Sequence, residues 1–238
     1  MIDRIKIFSI ATNGYHEFEE DFYKSFNELF LPQYKKEFVI FTDTPELDFY
    51  KKNNIKSIFL KHEPWPYITL SRYKSIANQF DFIESNDLCL FADIDLEVVN
   101  KVDSIDCEKY FGVDHPGNMF VDNRISLENN ILSQAYVDLN FLPSQYKYIQ
   151  GCLWGGLGSY FKYMVNTMRA DVELDLSKNI VAKWHDESHL NRFCINNFED
   201  FMTLSSSYAY PENWKIPIEK IIIHKYKNPE QFPRFEGI

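Results

Sequence analysis

Four short apolar runs separated by helix-like segments constrain this chain most: Ile5–Ile10 (IKIFSI), Glu37–Thr42 (EFVIFT), Ile55–Leu60 (IKSIFL) and Asp87–Phe91 (DLCLF). Between the first two, residues His16–Phe30 carry Phe18, Phe22, Phe26 and Phe30 at every fourth position, which predicts a helix with one aromatic face. A second helix is expected over Thr69–Phe82, crossing back over the sheet. Strands alternating with helices form an α/β domain with a mostly parallel sheet, whose ligands gather at the carboxyl ends of the strands. The second half is more broken, with strands expected at Tyr110–Asp114 and Tyr148–Trp154 and helices at Ser159–Asp171 and Glu187–Asn197.

A chain of 238 residues that is 45% hydrophobic can bury one large core of this kind or two small ones. Its net charge of −10 excludes a broad nucleic-acid footprint, so any anionic ligand is held by local positive charge. The 15 Tyr and 21 Phe are explained first by a Phe-rich core, although flat ligands such as bases or sugars also use such rings. Cys89, Cys107, Cys152 and Cys194 show no metal-type spacing or disulfide framework, and a reducing compartment fits them best. The N-terminus lacks the pattern of a signal peptide, and no apolar window is long enough to span a membrane. The chain is therefore expected to be soluble and cytoplasmic, with no integral membrane segment.

Three stretches carry chemistry. The apolar strand runs into Asp93 and Asp95, and an Asp-x-Asp on extended backbone turns both carboxylates to one face. Such a pair offers hard oxygen ligands to Mn²⁺ or Mg²⁺ on a diphosphate, and a plain turn is the competing explanation. Downstream, Trp184-His185-Asp186-Glu187-Ser188-His189 is dense in acid–base and sugar-stacking groups, while Asp186 and Glu187 also suit an ordinary helix N-terminus. The order H-D-E-S-H is not the H-E-x-x-H of zinc proteases. In Gln150-Gly151-Cys152-Leu153-Trp154-Gly155-Gly156, three glycines would let a ligand approach the backbone or simply make a turn.

The ordered set ATNGY (11–15), FTD (41–43), SRYKSI (71–76), DID (93–95), HPG (115–117), SQAY (133–136), GCLWGG (151–156), WHDESHLN (184–191) and KN (227–228) resembles glycosyltransferase family 6. That family includes the histo-blood-group A and B transferases and the α1,3-galactosyltransferases. The resemblance implies a GT-A fold: a Rossmann-like, mostly parallel central sheet flanked by helices, with a smaller acceptor-binding half. A single domain is expected, with a nucleotide-binding half over about residues 1–97 and an acceptor-binding half over about 98–238 that ends in a closing tail. The implied reaction is retaining transfer of a galactose-type sugar from a UDP-sugar to a glycan hydroxyl, usually in α1,3 linkage.

Carried over residue by residue, the resemblance implies that Ile10, Ala11 and Tyr15 line the uridine pocket and that Arg72 lies beside the diphosphate and sugar. Asp93 and Asp95 would hold Mn²⁺ (or Mg²⁺). Gln150, Gly151 and Cys152 border the donor, and His185 and Asp186 contact its hydroxyls. Glu187 is the implied nucleophile or stabiliser of the oxocarbenium-like transition state, and it also faces the acceptor. His115, Ser126 and Trp184 match acceptor positions, and Lys225, Lys227 and Arg234 fall in the tail that closes over the diphosphate. In the A and B enzymes a glycine at the position of Cys152 leaves room for an N-acetyl group. Cys152 therefore points to a plain hexose, with galactose ahead of glucose and N-acetylgalactosamine.

The departures fall at Gln150, at Asn118-Met119 after HPG, and at Pro211-Glu212. They leave the acceptor open. Many bacterial relatives carry Asn-x-Asn and work without metal, whereas Asp93 and Asp95 imply metal dependence. Without an anchor or stem, the chain is similar to the minimal bacterial or viral members. Two other readings stand beside this one: an inverting or unrelated nucleotide-sugar enzyme sharing only the Asp-x-Asp, and an inactive UDP- or sugar-binding protein of the same fold.

Overall fold

A computed structural model describes residues 2–119 and 121–228. The strands are β1 (Ile5–Ala11), β2 (Lys36–Thr42), β3 (Lys56–Phe59), β4 (Leu88–Ala92), β5 (Leu96–Val98), β6 (Tyr110–Asp114), β7 (Ile149–Leu157), β8 (Phe201–Leu204), β9 (Tyr210–Pro211) and β10 (Ile222–His224). The α-helices are α1 (Glu19–Leu29), α2 (Asp48–Lys52), α3 (Tyr67–Leu70), α4 (Arg72–Ala77), α5 (Gly158–Ser177) and α6 (His185–Asn196). No helix among the described residues is long and apolar enough to cross a membrane.

Seven strands form the central sheet in the order β3-β2-β1-β4-β7-β6-β8. All run in one direction except β7, which is antiparallel to both β4 and β6. This is the mostly parallel α/β sheet the sequence predicts. Side chains alternate between its faces. Ile5, Ile7, Phe38, Ile40, Leu88 and Leu90 enter one apolar layer with Phe22, Phe26 and Phe30 of the α1 region. Phe8, Val39, Phe41, Cys89 and Phe91 enter the opposite layer, with residues of α4, α5 and α6. Burial on both faces is why these strands are apolar at consecutive positions. The Phe22–Phe26 and Phe26–Phe30 centroids lie 4.5 and 5.3 Å apart, so the four-residue spacing builds an aromatic ladder against the sheet.

Several expected elements take a different form. The His16–Phe30 helix begins as a 3₁₀ turn, Tyr15–Phe18, before α1. The helix expected over Thr69–Phe82 is broken into α3, α4 and a 3₁₀ turn at Phe80–Phe82. At the first break the Ser71 hydroxyl donates to the Ile68 carbonyl at 2.8 Å, a back-bond that competes with regular helix. The helix expected to end at Asp171 continues to Ser177. Asp186 is not an N-cap, since α6 starts after Trp184 without a side-chain cap and the Asp186 carboxylate turns to Arg72 instead.

Two topological features prepare the site. Because β7 runs against β4, its beginning lies beside the end of β4, and the Asp93 amide donates to the Cys152 carbonyl at 2.8 Å. On its other edge β7 bulges: one step along β6 from Gly112 to Val113 matches four along β7, from Trp154 to Gln150. A second sheet, in the order β5-β10-β9, ties the strand after Asp95 to residues near the C-terminus.

Candidate active site

The carboxyl end of β4 delivers Asp93 and Asp95, and the antiparallel pairing of β10 with β5 brings His224 opposite Leu96. Ligand atoms of Asp93, Asp95 and His224 all lie within 4.8 Å of one another. His224 Nε2 is 3.2 Å from Asp95 Oδ2, and the Lys227 ammonium is 2.5 Å from the same oxygen. Two carboxylates and an imidazole form a donor set that suits a divalent cation, and the Lys227 ammonium already places positive charge among them. Burial opposes ionisation of Asp95, yet His224 and Lys227 together hold it well below the ordinary carboxylate range. Asp93 is displaced upward, first by burial and then by the charge of Asp95. The pair therefore shares its negative charge unequally.

Across the start of β7 lies a second acidic pair. Gly151 N–H donates to Glu187 Oε2 at 2.7 Å, and the Gly151 carbonyl accepts from Arg72 at 2.8 Å. The Arg72 guanidinium also meets Asp186 at 3.0 Å and Asp93 at 3.4 Å, joining the two acidic pairs. Asp186 and Asp93 keep this buried guanidinium firmly protonated against the cost of its burial. Its Nε and the Nε2 of His185 are buried with no hydrogen-bond partner among the described residues. A side chain at Gly151 would place Cβ 3.2 Å from Asp186 Oδ2 and 3.4 Å from Glu187 Oε2, so it would press on both carboxylates. Burial pushes the Glu187 carboxyl up to about 8, although the Gly151 N–H pulls the other way.

At the head of α6, His185 adopts φ 51°, a left-handed conformation that is strained for a side-chain-bearing residue. Its ring packs edge-on against Trp65 with centroids 4.2 Å apart, and its Nδ1 faces the Ala182 carbonyl at 3.1 Å. His189, one turn on, is buried and lies 3.7 Å from Asp175, so the two histidines of the motif face different partners. Trp184 is half exposed. His115, which follows β6, accepts from the Gly117 N–H at 3.0 Å, and burial pushes it down to about 4, leaving the ring neutral. Ser126 Oγ is 3.2 Å from the Asn118 amide nitrogen.

The other expected donor residues divide. Ile10 and Ala11 end β1, Tyr15 opens the turn after it, and Lys227 Nζ lies 5.7 Å from the Tyr15 ring centroid. Lys227 thus links the expected uridine pocket to Asp95. Lys225 instead pairs with Glu97 at 3.0 Å and Glu212 at 3.3 Å. Cys152 is buried in the core layer with Ala11 and Ile94. Arg234 lies outside the described residues. Gly155 and Gly156 do not face a ligand: a Cβ on either would come within 2.2 Å of a backbone carbonyl, of Cys89 and Lys109 respectively. These two glycines serve strand packing, and only Gly151 faces the site.

Sequence reasoning missed His224, Tyr73 and Asn191. The Tyr73 hydroxyl donates to the Asp186 carbonyl at 2.8 Å, and the Asn191 amide donates to the Glu187 carbonyl at 2.7 Å and holds both backbone groups of Ile149. Both lie inside quoted motifs, SRYKSI and WHDESHLN, so their signal was membership of the motif and not any local chemistry.

The sequence matches the model of glycosyltransferase family 6 over residues 4–230. It is 31% identical over 234 residues to the O-antigen biosynthesis glycosyltransferase WbnI of Escherichia coli, covering 96% of this chain and 97% of that protein. Identity is 24% over 212 residues to histo-blood group ABO system transferase 2 of Rattus norvegicus, covering 85% of this chain and 62% of that protein. It is also 24% over 237 residues to globoside alpha-1,3-N-acetylgalactosaminyltransferase 1 of Gallus gallus, covering 92% of this chain and 65% of that protein. By the span of that match and the extent of the bacterial similarity, the chain belongs to glycosyltransferase family 6.

Proposed function

We propose that this chain is a retaining galactosyltransferase that moves galactose from UDP-galactose to a glycan hydroxyl in α1,3 linkage, with Mn²⁺ (or Mg²⁺) on the diphosphate. The observation that carries the reading is a pair of orphaned polar atoms, Nε of the Arg72 that joins the two acidic pairs and Nε2 of His185, the neighbour of Asp186. Buried polar atoms without partners call for a ligand that supplies them, and a polyhydroxylated sugar diphosphate does so. The unrelated nucleotide-sugar enzyme gives way to the family membership. The bacterial relative is named for O-antigen biosynthesis and the chicken relative for an alpha-1,3 transfer, which supports a glycan acceptor and this linkage. Four unpaired cysteines suit a cytoplasmic setting.

In this reading Ile10, Ala11 and Tyr15 receive the uridine, and Asp93 and Asp95 hold the dication, which neutralises charge on the departing UDP. Arg72 binds the same diphosphate and keeps Asp186 turned toward the sugar. Lys227, released from Asp95, reaches the diphosphate, and Lys225 and Arg234 add positive charge to the closing tail. Gln150 and Gly151 floor the site, with Gly151 holding Glu187 in place. Glu187, on the face opposite the leaving diphosphate, stabilises positive charge at the anomeric carbon or attacks it. His115, Ser126 and Trp184 receive the acceptor, with the Trp184 ring exposed for stacking on a sugar. The nucleotide-binding and acceptor-binding halves meet at the start of β7.

Donor choice is argued from the bulk of Cys152, which stands at the position where a glycine would leave room for an N-acetyl group. The test is UDP release from UDP-galactose, UDP-glucose and UDP-N-acetylgalactosamine with lactose-type and fucosylated acceptors, with and without Mn²⁺, and the product's anomeric configuration by NMR. UDP-galactose should turn over at least tenfold faster than the N-acetylated donor, giving an α-linked product, and Cys152→Gly should narrow that ratio. Equal use of the two donors would remove the specificity argument, and a β-linked product would remove the retaining one. UDP binding without transfer or hydrolysis, unaltered by Glu187→Gln, would point to an inactive binding protein.

A further inference from the structure

We propose that His224 coordinates the dication through Nε2 as a third protein ligand beside Asp93 and Asp95, and that this imidazole tilts the site toward Mn²⁺ and Co²⁺ over Mg²⁺. The inference rests on the metal-dependent reading above and adds to it a ligand and a metal preference.

The position of His224 is fixed by backbone pairing. β10 pairs with β5, the Lys225 amide donates to the Asp95 carbonyl at 2.9 Å, and the His224 carbonyl accepts from the Glu212 amide at 3.0 Å. The imidazole is therefore tied to the same backbone that carries Asp95. Neighbouring ligands of an octahedral ion with bonds of about 2.1 Å lie about 3 Å apart, and opposite ones about 4 Å. The 3.2 Å from Nε2 to Asp95 Oδ2 is the neighbouring separation, and all three ligand atoms fall within 4.8 Å. Lys227 Nζ, 2.5 Å from Asp95 Oδ2 and 3.4 Å from His224 Nε2, marks where a cation rests between them.

An independent observation concerns the other ring nitrogen. His224 Nδ1 lies 3.3 Å from the Gln150 amide nitrogen, while Gln150 Oε1 is buried without a partner. A half-turn of that amide gives Oε1 the Nδ1–H as its donor, fixes the proton on Nδ1, and leaves the Nε2 lone pair facing the carboxylates. This outer partner is what a metal-bound histidine requires. Gln150, a departure from the family pattern, then has a role matched to His224. Mg²⁺ prefers oxygen ligands and water, whereas imidazole nitrogen favours first-row transition ions.

The test measures Mn²⁺, Co²⁺ and Mg²⁺ binding by titration calorimetry at saturating UDP, in the wild-type protein and in His224→Ala, His224→Gln and Asp95→Asn. Electron spin-echo modulation of the Mn²⁺–UDP complex is recorded in parallel. The expected wild-type spectrum carries ¹⁴N modulation from a directly bound imidazole, and both His224 variants lose it. Their Mn²⁺ affinity should fall about tenfold or more, and their Mg²⁺ affinity by a smaller factor. Bound Mn²⁺ without that modulation, or a Mn²⁺-to-Mg²⁺ preference unchanged in both His224 variants, overturns the inference while leaving the metal site intact. Failure of the metal reading itself differs: the wild-type protein with UDP then binds no Mn²⁺, and Asp95→Asn changes nothing. The wild-type spectrum needs no substitution, so a variant that fails to fold does not decide the matter.

Discussion

Glu187 is half-buried beside a second carboxylate, and the Gly151 N–H, the Tyr148 hydroxyl and the Arg72 guanidinium favour its ionised form. Burial wins, and the group holds its proton up to about 8 instead of the ordinary 4.5. A protonated Glu187 can neither attack the anomeric carbon nor stabilise positive charge there. The logarithm of kcat/KM, which reports the free enzyme, should therefore rise with pH along a limb centred near 8. Glu187→Gln should lower kcat on the order of 10²-fold and remove that limb. A limb that survives in Glu187→Gln would assign it to another group. The same shift has a stability consequence. The folded state binds more protons than the unfolded one between pH 4.5 and about 8, so this group's contribution to stability falls as pH rises through that window.

At the scale of elements, the long connection between β6 and β7 carries His115 and Ser126 and is fastened to the helices by buried polar side chains. Asp175 of α5 accepts from the Ser133 hydroxyl at 2.6 Å and from the Gln134 amide at 2.8 Å, and lies 3.7 Å from His189 of α6. Asp175→Ala removes the acceptor of the buried Ser133 hydroxyl and of the half-buried Gln134 amide at once and should cost about 2–4 kcal/mol. Asp175→Asn, which keeps an acceptor oxygen, should cost less, and urea midpoints at constant slope would measure both. A cost below about 1 kcal/mol for Asp175→Ala would show that the connection is held elsewhere. No local pattern announces this latch: Ser133 and Asp175 are far apart in the chain and each looks like an ordinary polar residue. By contrast β1, β2 and β4 were legible because burial on both faces makes a strand apolar throughout, and the two acidic pairs were legible as Asp93 and Asp95 and within WHDESHLN. β5, β9 and β10 have three, two and three residues, too few for any period, and the tail around β10 reads as polar. His224 was missed for that reason: its place beside Asp95 is set by strand pairing across more than a hundred residues.

At the scale of the whole molecule, a chain of net charge −10 gathers Asp93, Asp95, Asp186 and Glu187 around the place where a doubly charged diphosphate would bind. Arg72 is already engaged by two of these carboxylates and Lys227 by a third. Little positive charge is left over, so UDP alone should bind weakly. A dication at Asp93 and Asp95 reverses the balance: it replaces Lys227 on Asp95 and frees that ammonium for the diphosphate. UDP and Mn²⁺ should therefore stabilise the fold together far more than the sum of either alone. At a ligand concentration 100 times the dissociation constant, linkage adds about 2.7 kcal/mol, which raises the melting temperature of a domain this size by about 5–10 °C. Thermal melts with UDP, Mn²⁺, both, and both with excess chelator would measure it. Chelator should return the midpoint to within about 2 °C of the ligand-free protein, and Lys227→Ala should lower the combined shift without changing the response to chelator. An equal UDP shift with and without chelator would mean that Lys227 itself neutralises the diphosphate, and that the two carboxylates at the end of β4 serve to position that lysine.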